Sequence, residues 1–188
     1  MTETPLEEAK NYINPEKEVS TAEDALNGAK DILAESVSDN ADFRTHIREL
    51  TMKHGQLLSA AKDPEAESVY EMYYEFSESL SKLAGHRILA ISRGEKEKFL
   101  IVKIDAPVDR ILSYLDRKLI TAPSAATAAV LHEVTEDAYN RLIAPAIERE
   151  IRSDLFEKAE DGAIRVFGKN LEQLLMQPPI AGQVVLGW

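Results

Sequence analysis

The sequence contains no cysteine among its 188 residues. Without thiols there is no disulfide, no thiol nucleophile and no cysteine-ligated zinc site. Long apolar runs are also absent, since no stretch approaches the roughly 20 residues that a membrane-spanning helix needs. The opening MTETPLEEAK is acidic and polar, whereas a secretory signal is basic and then apolar. We therefore expect a cytoplasmic protein that contacts no membrane.

Basic residues are outnumbered by acidic ones. The chain has 22 Lys and Arg against 33 Asp and Glu, which gives a formal net charge of -11. A surface that binds phosphates needs clustered Lys and Arg. We therefore expect this chain to bind nucleic acid weakly by itself. Its length and its hydrophobic fraction of 44% are typical of one globular domain.

Capping residues and the helical spacing of apolar residues predict three N-terminal helices. A short helix begins at Thr4 and Pro5 and runs through Ile13. The second begins at Ser20, with Glu23 as the capping-box acid, and ends near residue 37. A third covers about 43–54, and Gly55 is placed to terminate it.

The second half of the sequence continues the helical pattern. The segment after Pro64 carries Val69, Tyr73 and Phe76 at helical spacing, and we expect most of it to be helical. Another helix opens at Pro107 and ends before residue 121. The longest helical stretch extends from about 125 to 175, and Pro145 is expected to kink or break it. Val184 to Leu186 predict a buried strand.

One stretch allows two interpretations. In HRILAISRGEKEKFLIVKI, residues 86–104, two apolar runs flank a charged segment that contains glycine. This arrangement fits a β-hairpin. It also fits a helix followed by a strand, because short apolar runs do not distinguish the two.

The candidate groups for chemistry do not form a site. His132 and Glu136 share one helix face, but two ligands do not complete a zinc site. His46 and His54 are expected at a helix surface, and His86 at the start of a helix or in a loop. The sequence therefore predicts no catalytic, cofactor-binding or metal-binding residue and no enzyme. The aromatic run Tyr70, Tyr73, Tyr74 and Phe76 is interleaved with glutamates and indicates core packing or a protein interface.

Three ordered blocks cover most of the chain: YINPEKEVSTAEDALNGAKDILAE, HRILAISRGEKEKFLIVKI and REIRSDLFEKAEDGAIRVFGKNLEQLLMQPP. Together they resemble the bacterial Tex family of transcription accessory proteins, which contain an S1 RNA-binding domain. HRILAISRGEKEKFLIVKI resembles the family's His-Arg-(apolar)-Arg-Gly-Glu-Lys-Glu signature. YINPEKEVSTAEDALNGAKDILAE is similar to the segment that precedes it, and REIRSDLFEKAEDGAIRVFGKNLEQLLMQPP to the helix that follows. The resemblance implies a helix across 86–95 and a strand from about 99 to 104. It also implies a mainly α-helical, bundle-like scaffold with one or two short strands.

The resemblance further implies a division of the chain. Residues 1–183 correspond to the N-terminal and central helical scaffold, and 184–188 to the beginning of the first strand of an RNase H-like domain. That domain, together with the helix-hairpin-helix and S1 modules to which nucleic-acid binding is attributed, would be absent, so the chain is expected to be a fragment.

The implied function is that of a non-catalytic scaffold without cofactors in a nucleic-acid-binding transcription accessory protein. Its partners would be those domains, RNA or DNA through the parent protein, and the transcription machinery. The alternative is a free-standing acidic helical adaptor that binds a protein. The best candidate contacts to nucleic acid or to another domain are Arg87, Arg93, Lys96 and Lys98, although interleaved glutamates weaken their field.

Overall fold

The computed structural model describes residues 4–121, 124–178 and 182. It is mainly helical with a small antiparallel sheet, which confirms the predicted fold class. The helices are α1 (Pro5–Ala9), α2 (Ala22–Asp39), α3 (Ala41–His54), α4 (Gly85–Lys96), α5 (Val108–Leu119), α6 (Ala125–Asp137) and α7 (Ala144–Leu175). The strands are β1 (Gln56–Ala61), β2 (Glu75–Ser79) and β3 (Leu100–Asp105). The predicted C-terminal strand at 184–186 lies outside the described residues.

The N-terminal helices begin at side chains that cap them. Thr4 and Glu7 form the predicted capping box of α1, and the helix continues as a 3-10 turn to Tyr12. For α2 the capping box consists of Thr21 and Asp24, so the helix starts one residue later than predicted. In both boxes the side-chain oxygens accept hydrogen bonds from backbone N–H groups that the first helical turn leaves free.

The sheet has the strand order β2-β1-β3, with both pairs antiparallel. The prediction that most of the segment after Pro64 is helical was wrong. The segment forms a 3-10 turn at Glu71–Tyr73 and then strand β2. Val69 is 85% exposed and is not a core residue. Phe76 instead pairs with Ser59 of β1. Pairing with a distant strand overrides the local helical spacing.

The stretch at 86–104 is a helix followed by a strand, as the resemblance implied. Ile88 and Ile91 face the core from α4, and Leu100 and Val102 face it from β3. Both apolar runs are therefore buried, but they meet through helix-to-sheet packing and not through a hairpin ladder.

The interruption expected at Pro145 takes the form of a π-helical segment at Ala138–Ile143, between α6 and α7. The backbone N–H of Ala144 bonds to the carbonyl of Tyr139, five residues earlier. Proline stands at the start of α7, where an α-helix does not need its N–H. The wider π-helical turn therefore accommodates Pro145, and the chain remains helical from α6 into α7.

One core joins the sheet to the helices from α2 to α7. Its largest fully buried side chains are Ile47, Ile91, Ile111, Leu115, Ile143, Ile151, Val134 and Thr135. Ion pairs around the core link α7 to its neighbours: Arg44 with Glu150, Arg48 with Asp154, and Arg152 with Glu95. Among the described helices, none combines the length and the apolar character needed to cross a membrane.

Candidate functional site

The four candidate basic residues lie on or just after α4, but they do not share one surface. Arg87 and Lys96 are nine residues apart, which places them on opposite sides of a helix at about 100° per residue. Arg93 and Lys96 lie on the same side. The cluster seen in the sequence therefore divides into separate parts.

Arg87 is engaged within the fold. Its Nη1 lies 2.7 Å from Oε2 of Glu78 on β2, and its guanidinium lies 5.9 Å from the centre of the Phe76 ring. This ion pair fixes the start of α4 against the edge of the sheet. It could not be foreseen from the sequence, because the segment that contains Glu78 was predicted to be helical.

Arg93 and Lys96 line an open groove between α4 and α7, with a volume of about 520 Å³. Leu89 contributes to the α4 wall, while Phe156 and Glu160 belong to the α7 wall. Nζ of Lys96 lies 4.9 Å from the centre of the Phe156 ring. The lining of the groove therefore combines apolar side chains with two cations and one carboxylate.

The cations of the groove form no close ion pair within the described part of the chain. Of the carboxylate oxygens that the structure describes, none lies within 4.0 Å of the charged nitrogens of Arg93, Lys96 or Lys98. Glu95, one of the interleaved glutamates, is paired with Arg152 of α7. Glu160 nevertheless lines the same groove as these two cations, and the Lys96 ammonium lies over the Phe156 ring.

Lys98 has a structural reason for its position after α4. Its φ of 66° is left-handed. The N–H of Lys98 bonds to the carbonyl of Glu95, and the N–H of Phe99 to that of Gly94. These two bonds form a Schellman motif, in which glycine is the usual left-handed residue.

We expect Lys98→Gly to stabilise the protein by about 0.5–1 kcal/mol. Relief of the left-handed strain, about 1–2 kcal/mol for a residue with a Cβ, exceeds the backbone entropy cost of glycine, about 0.5–1 kcal/mol. Urea denaturation followed by circular dichroism measures the change. Lys98→Ala is the matched control, since it removes the charge but keeps the Cβ, and it should leave stability nearly unchanged. An equal gain in both variants would contradict the conformational explanation.

Gly94, in the middle of the SRGEKEK sequence, is required by close packing. A Cβ at this position would lie 2.6 Å from Cδ1 of Leu100 and 3.1 Å from Cδ1 of Tyr70. Burial raises the pKa of the Tyr70 phenol, the nearby Glu97 carboxylate raises it further, and Arg93 lowers it. The signature residues thus hold α4 against β3 and the aromatic segment. Tyr70 and Tyr73 are buried, so core packing is confirmed for these two aromatic residues.

The histidine predicted to lie on a helix face has a second carboxylate neighbour that the sequence did not reveal. His132 Nδ1 is 2.8 Å from Oδ2 of Asp116 on α5, while Nε2 is 3.5 Å from Oε1 of Glu136. Thr135 donates a hydrogen bond to the other oxygen of Asp116. The described residues contain no group of three or more His, Cys, Asp or Glu arranged to hold a metal. This cluster links α5 to α6.

The structure is a mainly helical domain with a groove between α4 and α7 that is lined by apolar side chains, two cations and one carboxylate. Comparisons with known proteins identify the family to which the chain belongs. The family described as Tex central region-like matches residues 1–167. The chain is 50% identical over 182 residues to YdcI of Bacillus subtilis and 34% identical over 195 residues to Protein tex of Bordetella pertussis. It is 32% identical over 192 residues to human S1 RNA-binding domain-containing protein 1.

The chain belongs to the Tex family, as its sequence blocks indicated. These alignments cover 95%, 95% and 94% of the chain, but only 25%, 24% and 19% of the three relatives. The chain therefore spans a quarter or less of the length of the relatives it matches, and all three match its helical core.

Proposed function

We propose that this chain is the central scaffold of a longer Tex-type transcription accessory protein, and that it positions the nucleic-acid-binding modules of that protein without doing chemistry itself. The observation that carries the proposal is the single core that ties the sheet and the helices from α2 to α7 into one body. Ion pairs from α7 to α3 and α4 stiffen that body further. Such a body suits the fixed placement of attached domains.

In this proposal residues 1–183 form the scaffold, and residues 184–188 begin a strand of an RNase H-like domain. Helix-hairpin-helix and S1 modules supply the contacts to RNA or DNA. Support comes from the relatives, which are at least four times as long as the matched segment, and from the human relative, whose name specifies an S1 RNA-binding domain.

The electrostatics of the described surface support a scaffold more than a nucleic-acid site. Arg87 is paired with Glu78, and Glu160 lines the same groove as Arg93 and Lys96. A net charge of -11 repels a polyanion from most directions. The two cations that line the groove provide few phosphate contacts, whereas binding strength rises with the number of phosphates neutralised.

We therefore expect the isolated chain to bind single-stranded RNA and duplex DNA with a dissociation constant of roughly 10⁻⁴ M or weaker at physiological salt. Fluorescence anisotropy with labelled oligonucleotides measures this directly. The matched variants are Arg93→Glu with Lys96→Glu, which reverse the charges at the groove, and Arg110→Glu with Arg117→Glu on α5. Sub-micromolar binding that only the first pair abolishes would make the groove a nucleic-acid site and refute the scaffold proposal.

A free-standing acidic adaptor remains the second candidate, and it is favoured by the apolar surface that the second half of α7 exposes. An adaptor would bind a separate protein through that surface. The scaffold instead requires the surface to be covered within a longer chain.

A further inference from the structure

A second open groove lies between α3 and α5 and has a volume of about 550 Å³. His46 and Leu50 line it from α3, while Arg110, Tyr114 and Arg117 line it from α5. The three residues from α5 are spaced by four and then three, so they lie on one side of that helix. This groove, called the α3–α5 groove below, therefore has an aromatic side chain between two arginines.

The buried side of α5 fixes the direction in which these arginines point. Ile111 and Leu115 are both 0% exposed and anchor the helix in the core. Arg110 and Arg117 are exposed. Seven residues at 1.5 Å each separate them by about 10 Å along the helix axis. The groove therefore has one guanidinium toward each end.

The middle of the groove is an ordered aromatic wall. The ring of His46 lies 4.0 Å from the ring of Tyr114, centre to centre, and is tilted by 34°. Phe43 meets Tyr114 edge to face at 6.0 Å. On the same helix, Nζ of Lys118 lies 6.0 Å from the centre of the Tyr114 ring. Contacts on this many sides hold the tyrosine in place, so an apolar side chain of a ligand would meet a fixed surface.

The two arginines have no close ion pair within the described part of the chain. Of the carboxylate oxygens that the structure describes, none lies within 4.0 Å of the guanidinium nitrogens of Arg110 or Arg117. Asp116, the neighbour of Arg117 in sequence, contacts His132 and Thr135 of α6 instead. Both guanidiniums thus keep their hydrogen-bond donors for a ligand.

One carboxylate, that of Asp109, lines the same groove. It lies in the first turn of α5, where the free backbone N–H groups of the helix favour a negative charge. Eight residues, or about 12 Å along the axis, separate it from Arg117, and this exceeds the Debye length of about 8 Å at physiological salt. Two arginines against one aspartate leave the lining at a net charge of +1, on a chain whose net charge is -11.

A small positive charge of this kind fits an acidic peptide better than a nucleic acid. Nucleic-acid affinity grows with the number of phosphates neutralised, and an acidic chain repels every phosphate that finds no cation. A peptide needs only two carboxylates, which arginine binds through paired hydrogen bonds. In an extended peptide every second side chain lies on one side, so Glu-x-Leu-x-Glu spans about 13 Å between its carboxylate-bearing residues. Two long arginine side chains whose positions differ by about 10 Å can reach both.

We infer that the α3–α5 groove binds an extended acidic segment of a partner protein. Two carboxylates of the segment contact Arg110 and Arg117, and an apolar side chain between them contacts Leu50 and Tyr114. The inference goes beyond the scaffold proposal and does not depend on it. Because two ion pairs and one apolar contact carry the interaction, it is weak and sensitive to salt.

Fluorescence anisotropy on the 188-residue chain tests the inference with a labelled peptide, Gly-Ser-Glu-Ser-Leu-Ser-Glu-Ser-Gly. We expect a dissociation constant of roughly 10⁻⁴ M or tighter at physiological salt. The peptide with glutamine in place of both glutamates should bind about tenfold more weakly or worse, because it loses both charge-assisted contacts. Absence of binding, or equal binding of the two peptides, would overturn the inference.

Protein variants locate the contact. Arg110→Gln with Arg117→Gln should weaken binding of the acidic peptide by about tenfold or more. Arg165→Gln with Lys169→Gln is the matched control, since it removes two exposed cations of α7 that lie outside the groove. It should change binding by less than about twofold. Circular dichroism verifies that both variants are folded. An equal loss in the two would show that only overall charge matters, and would contradict the site.

Other occupants give different results. Labelled single-stranded RNA that binds more tightly than the acidic peptide, and that the Arg110 and Arg117 variant releases, would assign the groove to nucleic acid. Dimers in light scattering that the peptide dissociates would assign it to a second copy of the chain. Both results overturn the inference. The scaffold proposal is tested by nucleic-acid binding at Arg93 and Lys96, so the two can fail independently.

Discussion

Replacing Ile151 with alanine will lower the free energy of unfolding by about 2–5 kcal/mol, the range for removing a large aliphatic side chain from a packed core. Ile151 is 0% exposed and lies within the buried half of α7. The ion pairs on both sides of it hold α7 against α3 and α4, so the helix has little freedom to close the cavity. Urea denaturation followed by far-ultraviolet circular dichroism gives the change.

Ile164→Ala is the matched control, because it makes the same chemical change on the same helix. Ile164 is 67% exposed, and its replacement should change stability by less than about 0.5 kcal/mol. The difference between the two variants measures how sharply burial ends along α7. Equal losses would mean that the second half of α7 is packed in solution.

Features that depend on neighbouring residues could be read from the sequence. The capping box of α1, the helix that Gly55 ends and the interruption at Pro145 involve residues a few positions apart, so local rules identify them, whereas the capping box of α2 lies one residue later than predicted. The assignment of residues 86–104 to a helix followed by a strand did not come from local rules. The residues alone allowed a hairpin, and only the resemblance to a family favoured a helix and a strand.

Features that depend on distant pairing were missed. Strand β1 pairs with β2 and with β3, which starts some forty residues later in the chain. Tyr73 and Phe76 are three apart, a spacing that a helix and a 3-10 turn leading into a strand both satisfy, so periodicity could not separate them. The same error hid the partner of Arg87. The groove residues Arg93 and Lys96, by contrast, are three apart on one helix and could be grouped from the sequence.

The exposed apolar side chains on the second half of α7 show a further limit of sequence reasoning. Phe167, Leu171 and Leu175 continue the four-residue spacing of the buried residues, but each step of four turns about 40° around an α-helix, so they do not lie on the buried side. Where burial ends depends on which elements lie beside the helix, and that is a property of the tertiary structure. The exposure of Phe167 and Leu171 could therefore be learned only from the structure.

Gly55→Ala is expected to destabilise the protein by about 1–3 kcal/mol, or somewhat more, through overpacking. Gly55 ends α3, and its φ of -78° and ψ of 165° are open to any residue, so backbone strain is not the cause. A Cβ would instead lie 2.5 Å from the carbonyl oxygen of Thr51 and 3.0 Å from that of Asp105. These oxygens belong to α3 and β3, and neither can move without disturbing its hydrogen bonds.

Gly162→Ala is the control with the opposite sign. Gly162 lies within α7, and apart from the adjacent backbone of the helix itself no described atom lies within 4 Å of the position of a Cβ. Alanine there should stabilise the helix by up to about 1 kcal/mol, the difference in helix propensity between the two residues. Thermal denaturation of both variants measures the signs. If Gly55→Ala were neutral, the junction of α3 and β1 would have to relax freely, and α3 would not be held as firmly to the sheet as the shared core requires. A scaffold that positions other domains depends on that junction, because it fixes the sheet relative to the helices that pack along α7.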